Sequence, residues 1–252
     1  MIQLSGVCHQ ISNIPILHDV TANLPRGRLT ALIGPNGAGK STLLRLIGRL
    51  EPLQQGSVRI GDLDIMKTSS SELARHMAIL GQQTMIASRL RLSDLVAFGR
   101  WPHHHGRPKP QDKAAVEKAL ETFRLTPLAN RFLDEVSGGQ AQRAYLAMTF
   151  AQDTDWLLLD EPLNNLDISH ARSLMAQLSD LVCHSGKSVV IVVHEVNYAA
   201  AWADHILALK NGRIAAEGTP EDVLTSETLS MLYDTPINVT THQDRPLILH
   251  HC

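Results

Sequence analysis

The residues with the most chemical meaning form an eight-residue run, Gly34-Pro35-Asn36-Gly37-Ala38-Gly39-Lys40-Ser41, which fits the pattern G-x-x-x-x-G-K-[ST]. Its glycines let the backbone turn N–H groups toward an anion, and a helix starting behind the loop adds a partial positive charge. Lys40 can then reach the β- and γ-phosphates of a polyphosphate. The Ser41 hydroxyl can ligate Mg²⁺, and Thr42 extends the phosphate-binding run by one residue. A second group lies far along the chain, where the apolar run 156–159 ends in Asp160-Glu161. An acid at the carboxyl end of a buried parallel strand faces the ligand crevice. There Asp160 can hold the Mg²⁺ shell, and Glu161 can orient or deprotonate a water. Between the two groups stands Ser137-Gly138-Gly139-Gln140. A Ser-Gly-Gly turn opening a helix serves as an N-cap, as an anion site, or as both.

These groups need elements to hold them. Apolar runs at 14–17 and 29–33, split by a Pro25-Arg26-Gly27 turn, read as short strands. The second leads straight into the glycine loop. Helical spacing follows at Leu43, Leu44, Ile47 and Leu50. Residues 57–60 read as a strand and 71–76 as a short helix. The stretch 84–150 reads as largely helical, with a Pro-, His- and Gly-rich loop at 102–110. Runs at 156–159 and 188–193 flank an amphipathic segment at 167–184, a strand–helix–strand pattern that implies parallel pairing. A strand–turn unit at 206–214, around Asn211-Gly212, leads to a C-terminal helix near 220–233. The expected architecture is an α/β core built from both chain ends, with a helical lobe inserted at about 84–150.

Composition narrows the function classes. The 252 residues are 44% hydrophobic and 19% charged with a net charge of −2, which excludes a disordered chain. Near-neutral charge leaves no basic footprint for nucleic acid, and 4% aromatics leave few stacking platforms. No apolar run approaches the ~18–20 residues of a spanning helix, and the start at Met1 carries no leader pattern. Cys8, Cys183 and Cys252 lack metal or disulfide spacing, which points to a reducing compartment. His103-His104-His105 and His250-His251 lack the spacing of a preformed metal site and read as solvated chain.

In this order, the motifs resemble those of the ATP-binding cassette (ABC) ATPase family over essentially the whole chain. The signature loop of that family is similar to Val136-Ser137-Gly138-Gly139-Gln140. Gln82, after 78–81, resembles the family's Q-loop glutamine, which touches Mg²⁺ and the attacking water. Asn164-Asn165-Leu166-Asp167 resembles the D-loop, and His194 the switch histidine near the γ-phosphate. The resemblance implies a P-loop NTPase fold of ABC type, a single domain over 1–252. Its mixed β core would comprise 1–83 and 151–252, and its helical signature subdomain about 84–150. It also implies ATP and Mg²⁺ as cofactors and a head-to-tail homodimer. Phosphates held by Gly37, Gly39 and Lys40 of one copy are then closed over by Ser137 and Gly139 of the other. Catalysis falls to Glu161, His194 and Gln82, and Mg²⁺ to Ser41, Gln82 and Asp160.

Two positions depart from the family pattern. Ile11 stands where an adenine-stacking aromatic is usual, and strand alternation puts His9 on the same side, so either could cover the base. The D-loop carries Asn164 and Asn165 in place of small residues. Residues 95–102, Ala203-Asp204-His205-Ile206, Gly212-Arg213-Ile214, Gly218-Thr219-Pro220 and Arg245-Pro246-Leu247-Ile248 are similar to cassettes of iron–siderophore, haem and cobalamin importers. The resemblance therefore implies an ATPase subunit, peripheral on the cytoplasmic side of the cell membrane. Its partners would be a polytopic permease and an extracytoplasmic solute-binding protein. A ferric siderophore is the first expectation for cargo, with haem, cobalamin or a soluble non-transport role as alternatives.

Overall fold

The computed structural model describes residues 1–81, 89–164 and 166–249. The first third of the chain carries β1 (Ile2–Ile11), β2 (Ile14–Leu24), β3 (Leu29–Ile33), α1 (Lys40–Ile47), β4 (Gln55–Ile60), β5 (Leu63–Asp64), α2 (Ser70–His76) and β6 (Met77–Leu80). Four helices follow, α3 (Leu92–Phe98), α4 (Trp101–His104), α5 (Pro110–Thr122) and α6 (Gly138–Ala151). Next come β7 (Trp156–Asp160), α7 (Ile168–Ser185), β8 (Ser188–Val192), α8 (Val196–Trp202), β9 (His205–Lys210) and β10 (Arg213–Gly218). The chain ends in α9 (Pro220–Val223), α10 (Ser226–Tyr233), β11 (Asn238–His242) and β12 (Arg245–Leu249).

The fold is α/β. Every residue of β3, β7 and β8 is buried. That is the signature of strands covered on both faces, and it explains their unbroken apolar sequences. They form the centre of a six-stranded sheet in the order β10-β9-β3-β8-β7-β6. All pairs from β9 to β6 are parallel, and only β9–β10 is antiparallel. In register, Leu32 sits beside Val192, and Val192 beside Asp160. The carboxyl ends of β3, β8 and β7 therefore emerge side by side, which is what brings distant motifs to one edge.

A second, four-stranded sheet in the order β2-β1-β4-β5 packs its apolar face over α1. Its first two strands, of 10 and 11 residues, are longer than the short runs the apolar pattern suggests. Register shifts, one with its extra residue in β1 between Leu4 and Val7 and two with theirs in β2, interrupt the alternation and hide both strands from a period-2 reading. Between β6 and β7, helices α3, α5 and α6 share a core that includes Leu95, Val96, Leu120, Phe123 and Phe150. The rings of Phe123 and Phe150 meet edge-on at 5.8 Å. Arg100 and Asp112 form a buried pair at 3.1 Å, and Arg100 also donates to the Ala151 carbonyl at 2.8 Å. The amide of Lys109 and this guanidinium hold the Asp112 carboxyl below the ordinary range.

Three local expectations change. The 102–110 loop begins inside a helical turn: His103 and His104 are half-buried, His103 Nε2 lies 2.7 Å from the Gln152 carbonyl, and His104 Nδ1 accepts from the Gly106 amide. The single helix near 220–233 is two, because Thr219 and Thr225 each cap a new start. A terminal hairpin, β11–β12, follows where the reading had no element. His250, His251 and Cys252 lie outside the described residues, and among those described no helix is long and apolar enough to cross a membrane.

Candidate functional site

The glycine loop leaves β3 at the sheet edge and closes tightly against its neighbours. Gly34 has φ 139°, and a Cβ there would stand 2.0 Å from the Leu209 carbonyl oxygen. Gly39 has φ 97°, and a Cβ there would stand 2.6 Å from Leu17 of β2. Side chains are excluded at both positions, so the backbone itself is the binding surface. Gly39 is also the N-cap of α1 and supplies no side-chain acceptor, which leaves the first-turn amides to an outside anion. The loop runs from Gly34, Pro35, Asn36, Gly37 and Ala38 to Lys40, with Thr42 in the first turn of α1.

Lys40 is buried, and its ammonium donates to the carbonyls of Gly34 at 2.7 Å and Pro35 at 2.9 Å. Burial lowers its pKa, opposed by the charges of Glu161 and Asp160. Across the loop, the Ser41 hydroxyl donates to Asp160 Oδ1 at 2.7 Å. Burial raises the Asp160 pKa, the Ser41 hydrogen bond opposes that, and the neighbouring Glu161 charge adds to it. Two hard oxygen donors thus face each other beside the phosphate loop, a donor set suited to Mg²⁺.

Glu161 follows Asp160 with φ 52°, a backbone state few non-glycine residues adopt. One carboxylate oxygen lies 2.7 Å from His194 Nε2, and the other accepts from the Asn164 side-chain Nδ2 at 2.6 Å. His194 follows β8 and its ring is 42% exposed, whereas the Glu161 side chain is 12% exposed. The carboxylate is thus shielded and held from two sides, and the imidazole faces outward. The Asn164 contact has no local signal in sequence; it arises because residues 161–164 fold back, with the Asn164 amide on the Glu161 carbonyl at 3.2 Å.

The Ser137 loop is built differently. Ser137 Oγ accepts from the Gln140 amide at 3.3 Å, and Gln140 Oε1 accepts from the Ser137 amide at 3.0 Å. This reciprocal capping box fixes the start of α6. Ser137 and Gly138 are exposed, and a Cβ on Gly139 would stand 3.5 Å from Leu166. The cap of α6 therefore sits beside Leu166, with Ser137 and Gly138 open on its outer face. Gln82 and Asn165 lie outside the described residues.

His9 and Ile11 keep the alternation of β1, because the register shifts flanking His9 put their extra residues in β2, but they differ in depth: His9 is 3% exposed in the body of the sheet and Ile11 48%. Ile11 pairs with the more exposed Ile14 at the tip of the hairpin whose Leu17 abuts Gly39. Sequence reasoning also missed Tyr233. Its hydroxyl is buried beside the Gly34 amide, and burial pushes it up to about 12 against that amide's opposing effect. A distant tyrosine in a C-terminal helix gives no spacing cue for such a contact.

A family model described as "ABC transporter" matches residues 17–164. The chain is 43% identical over 241 residues to the petrobactin import ATP-binding protein YclP of Bacillus subtilis, covering 96% of each chain. It is 40% identical over 220 residues to the ferric enterobactin transport ATP-binding protein FepC of Escherichia coli, covering 86% of this chain and 81% of that one. Among solved structures, it resembles a dimeric ATP-binding cassette in a post-hydrolysis state bound to ADP and Pi. That match has a TM-score of 0.77 at 27% identity, covering 87% of this chain and 98% of that one.

Proposed function

The chain belongs to the ABC transporter family as an ATP-binding, ATP-hydrolysing subunit, and on that premise we propose that it drives uptake of a ferric siderophore through a separate permease. The observation that carries the catalytic part is the meeting of Ser41 with Asp160, and of Glu161 with His194, at adjacent parallel strand ends. The cargo part rests on likeness to the import proteins for petrobactin and enterobactin.

The phosphates of ATP lie along the amides of Gly37, Ala38 and Gly39, and Lys40 turns from the loop carbonyls to the β- and γ-phosphates. Ser41, Asp160 and Gln82 would hold Mg²⁺, which would supply charge neutralisation for the phosphates. Glu161 releases one carboxylate oxygen to the attacking water, orients it in line and accepts its proton. Asn164 keeps the other oxygen fixed, and His194 donates toward the γ-phosphate as charge develops. Ile11, at the exposed hairpin tip, covers the adenine.

The exposed cap of α6 serves a second copy of the chain. Ser137, Gly138, Gly139 and Gln140 of one protomer close over phosphates held by its partner, in a head-to-tail homodimer. Each protomer divides into a core of 1–83 and 151–252 and a helical lobe of about 84–150. The permease docks near 84–102, where Phe98 and Trp101 are 52% and 54% exposed. The complex sits on the cytoplasmic side of the cell membrane and takes cargo from an extracytoplasmic solute-binding protein.

The test is ATP turnover of the chain reconstituted with its permease and binding protein in vesicles. Stimulation by a ferric siderophore, and not by haem or cobalamin, is the expected result. Stimulation by haem or cobalamin alone would move the cargo to that class.

A further inference from the structure

A cavity of about 330 Å³ lies directly behind the turn that carries His194. Its walls include His194 and Val196 on one side, with Leu229, Tyr233, Ile237 and Ile248 on the other. Val196, Leu229, Ile237 and Ile248 are buried in one apolar core, and the cavity lies among them. At the other end of the helix Ala199, Ala200 and Ala203 are buried in the same core. Apolar packing is non-directional, so directional contacts are what can fix the orientation of the start of α8, and with it the imidazole 2.7 Å from Glu161.

Hydrogen bonds do so. Glu195 caps α8, its side chain accepting from the Asn197 amide at 3.2 Å. The Asn197 side chain then reaches the terminal hairpin at a single residue. Its Nδ2 donates to the Ile248 carbonyl at 3.2 Å, and its Oδ1 accepts from the Ile248 amide at 2.9 Å. The pair imitates one rung of a β ladder, and it uses both ends of the carboxamide, so only asparagine at this length satisfies both backbone groups. Ile248 is itself anchored, being 4% exposed in the main core. At the far end of α8, Arg245 of the same hairpin donates to the carbonyls of Ala200 at 3.3 Å and Ala201 at 2.7 Å.

We infer that Asn197 is a positioning residue for ATP hydrolysis: by clamping the start of α8 to the β11–β12 hairpin, it holds His194 in register with Glu161. The inference rests on the roles proposed above for Glu161 and His194. It gives the terminal hairpin a task in turnover, with the Asn197 end near the chemistry and the Arg245 end remote from it.

The two ends supply the test. Asn197→Ala is expected to lower kcat for ATP about tenfold, well short of the ~100-fold that a 1 Å misplacement can cause, with KM for ATP unchanged. Arg245→Ala should lower the melting temperature comparably and leave kcat near wild type. In a His194→Ala background, Asn197→Ala should have no further effect on kcat, because its route runs through the imidazole. If Asn197→Ala fails to fold, Asn197→Asp keeps the acceptor for the Ile248 amide, loses the donor, and enters the same cycle. Wild-type kcat in the Asn197 variant, equal kcat losses from Asn197→Ala and Arg245→Ala, or additive losses with His194→Ala each overturn the inference. Wild-type turnover in His194→Ala alone overturns instead the site reading on which it stands.

Discussion

The glycine loop and the Ser137 loop use the same physics and are finished to different degrees. Both present a helix N-terminus, the first turn of α1 and that of α6. At α1 the cap residue is Gly39, no side chain satisfies the amides, and Lys40 and Asp160 are buried alongside. At α6 the cap is Ser137, its own box with Gln140 satisfies the end of the helix, and its outer face is exposed. Under the proposed dimer, the difference teaches which half of a nucleotide site each loop would supply. A buried, uncapped end with its own cation is built to hold a ligand alone, whereas an exposed, self-capped end is built to add to a ligand held elsewhere.

The largest effect should come from the residue that acts only in the transition state. Glu161→Gln keeps shape while removing charge and basicity, so MgATP should bind normally while turnover falls roughly 10³-fold. Single-turnover kinetics checks this, and hydrolysis within a few-fold of wild type would remove Glu161 from its role. Ser137→Arg breaks the exposed half. Loss of donors that meet the transferring group typically costs roughly 10²-fold in turnover, and nucleotide binding to the dilute protomer should be nearly unchanged. Weak binding in the dilute protomer would mean that the Ser137 loop serves its own site.

How much of this contrast was readable beforehand depends on how local each signal is. The glycine loop and Asp160-Glu161 are contiguous patterns next to apolar runs, so their types and neighbours disclose them. His194 has no such pattern and was visible through family resemblance alone; its approach to Glu161 depends on β7 and β8 being parallel neighbours. The shared side of His9 and Ile11 follows from strand alternation, but their unequal burial does not, because it depends on how far the hairpin tip projects beyond the sheet's packed face. The terminal hairpin was missed because most of its residues are exposed and β12 carries Pro246, so neither strand shows the apolar alternation of a half-buried sheet. Its value lies in backbone contacts with Asn197, which composition cannot register.

Two smaller changes sharpen the buried half. Lys40→Ala should weaken ATP binding by about 2 kcal/mol, roughly thirtyfold, because charge-assisted hydrogen bonds to the phosphates are lost. Isothermal titration measures it, and unchanged affinity would contradict the loop's role. Ile11→Tyr should tighten binding by ~1 kcal/mol, or about fivefold, by offering the adenine a π-surface at the exposed hairpin tip. His9→Ala in the same assay should leave affinity unchanged, given the burial of His9; the reverse pattern would place the base over His9's end of the strand.

The central claim is that one protomer holds the nucleotide and the other completes the site. Sedimentation velocity of Glu161→Gln, with and without MgATP, tests it most directly, because slow hydrolysis preserves the closed state. The expected result is a protomer without nucleotide, a dimer with MgATP, and a protomer again when Ser137→Arg is added to the same chain. A dimer that persists without nucleotide, or one that forms with MgATP despite Ser137→Arg, would contradict the account.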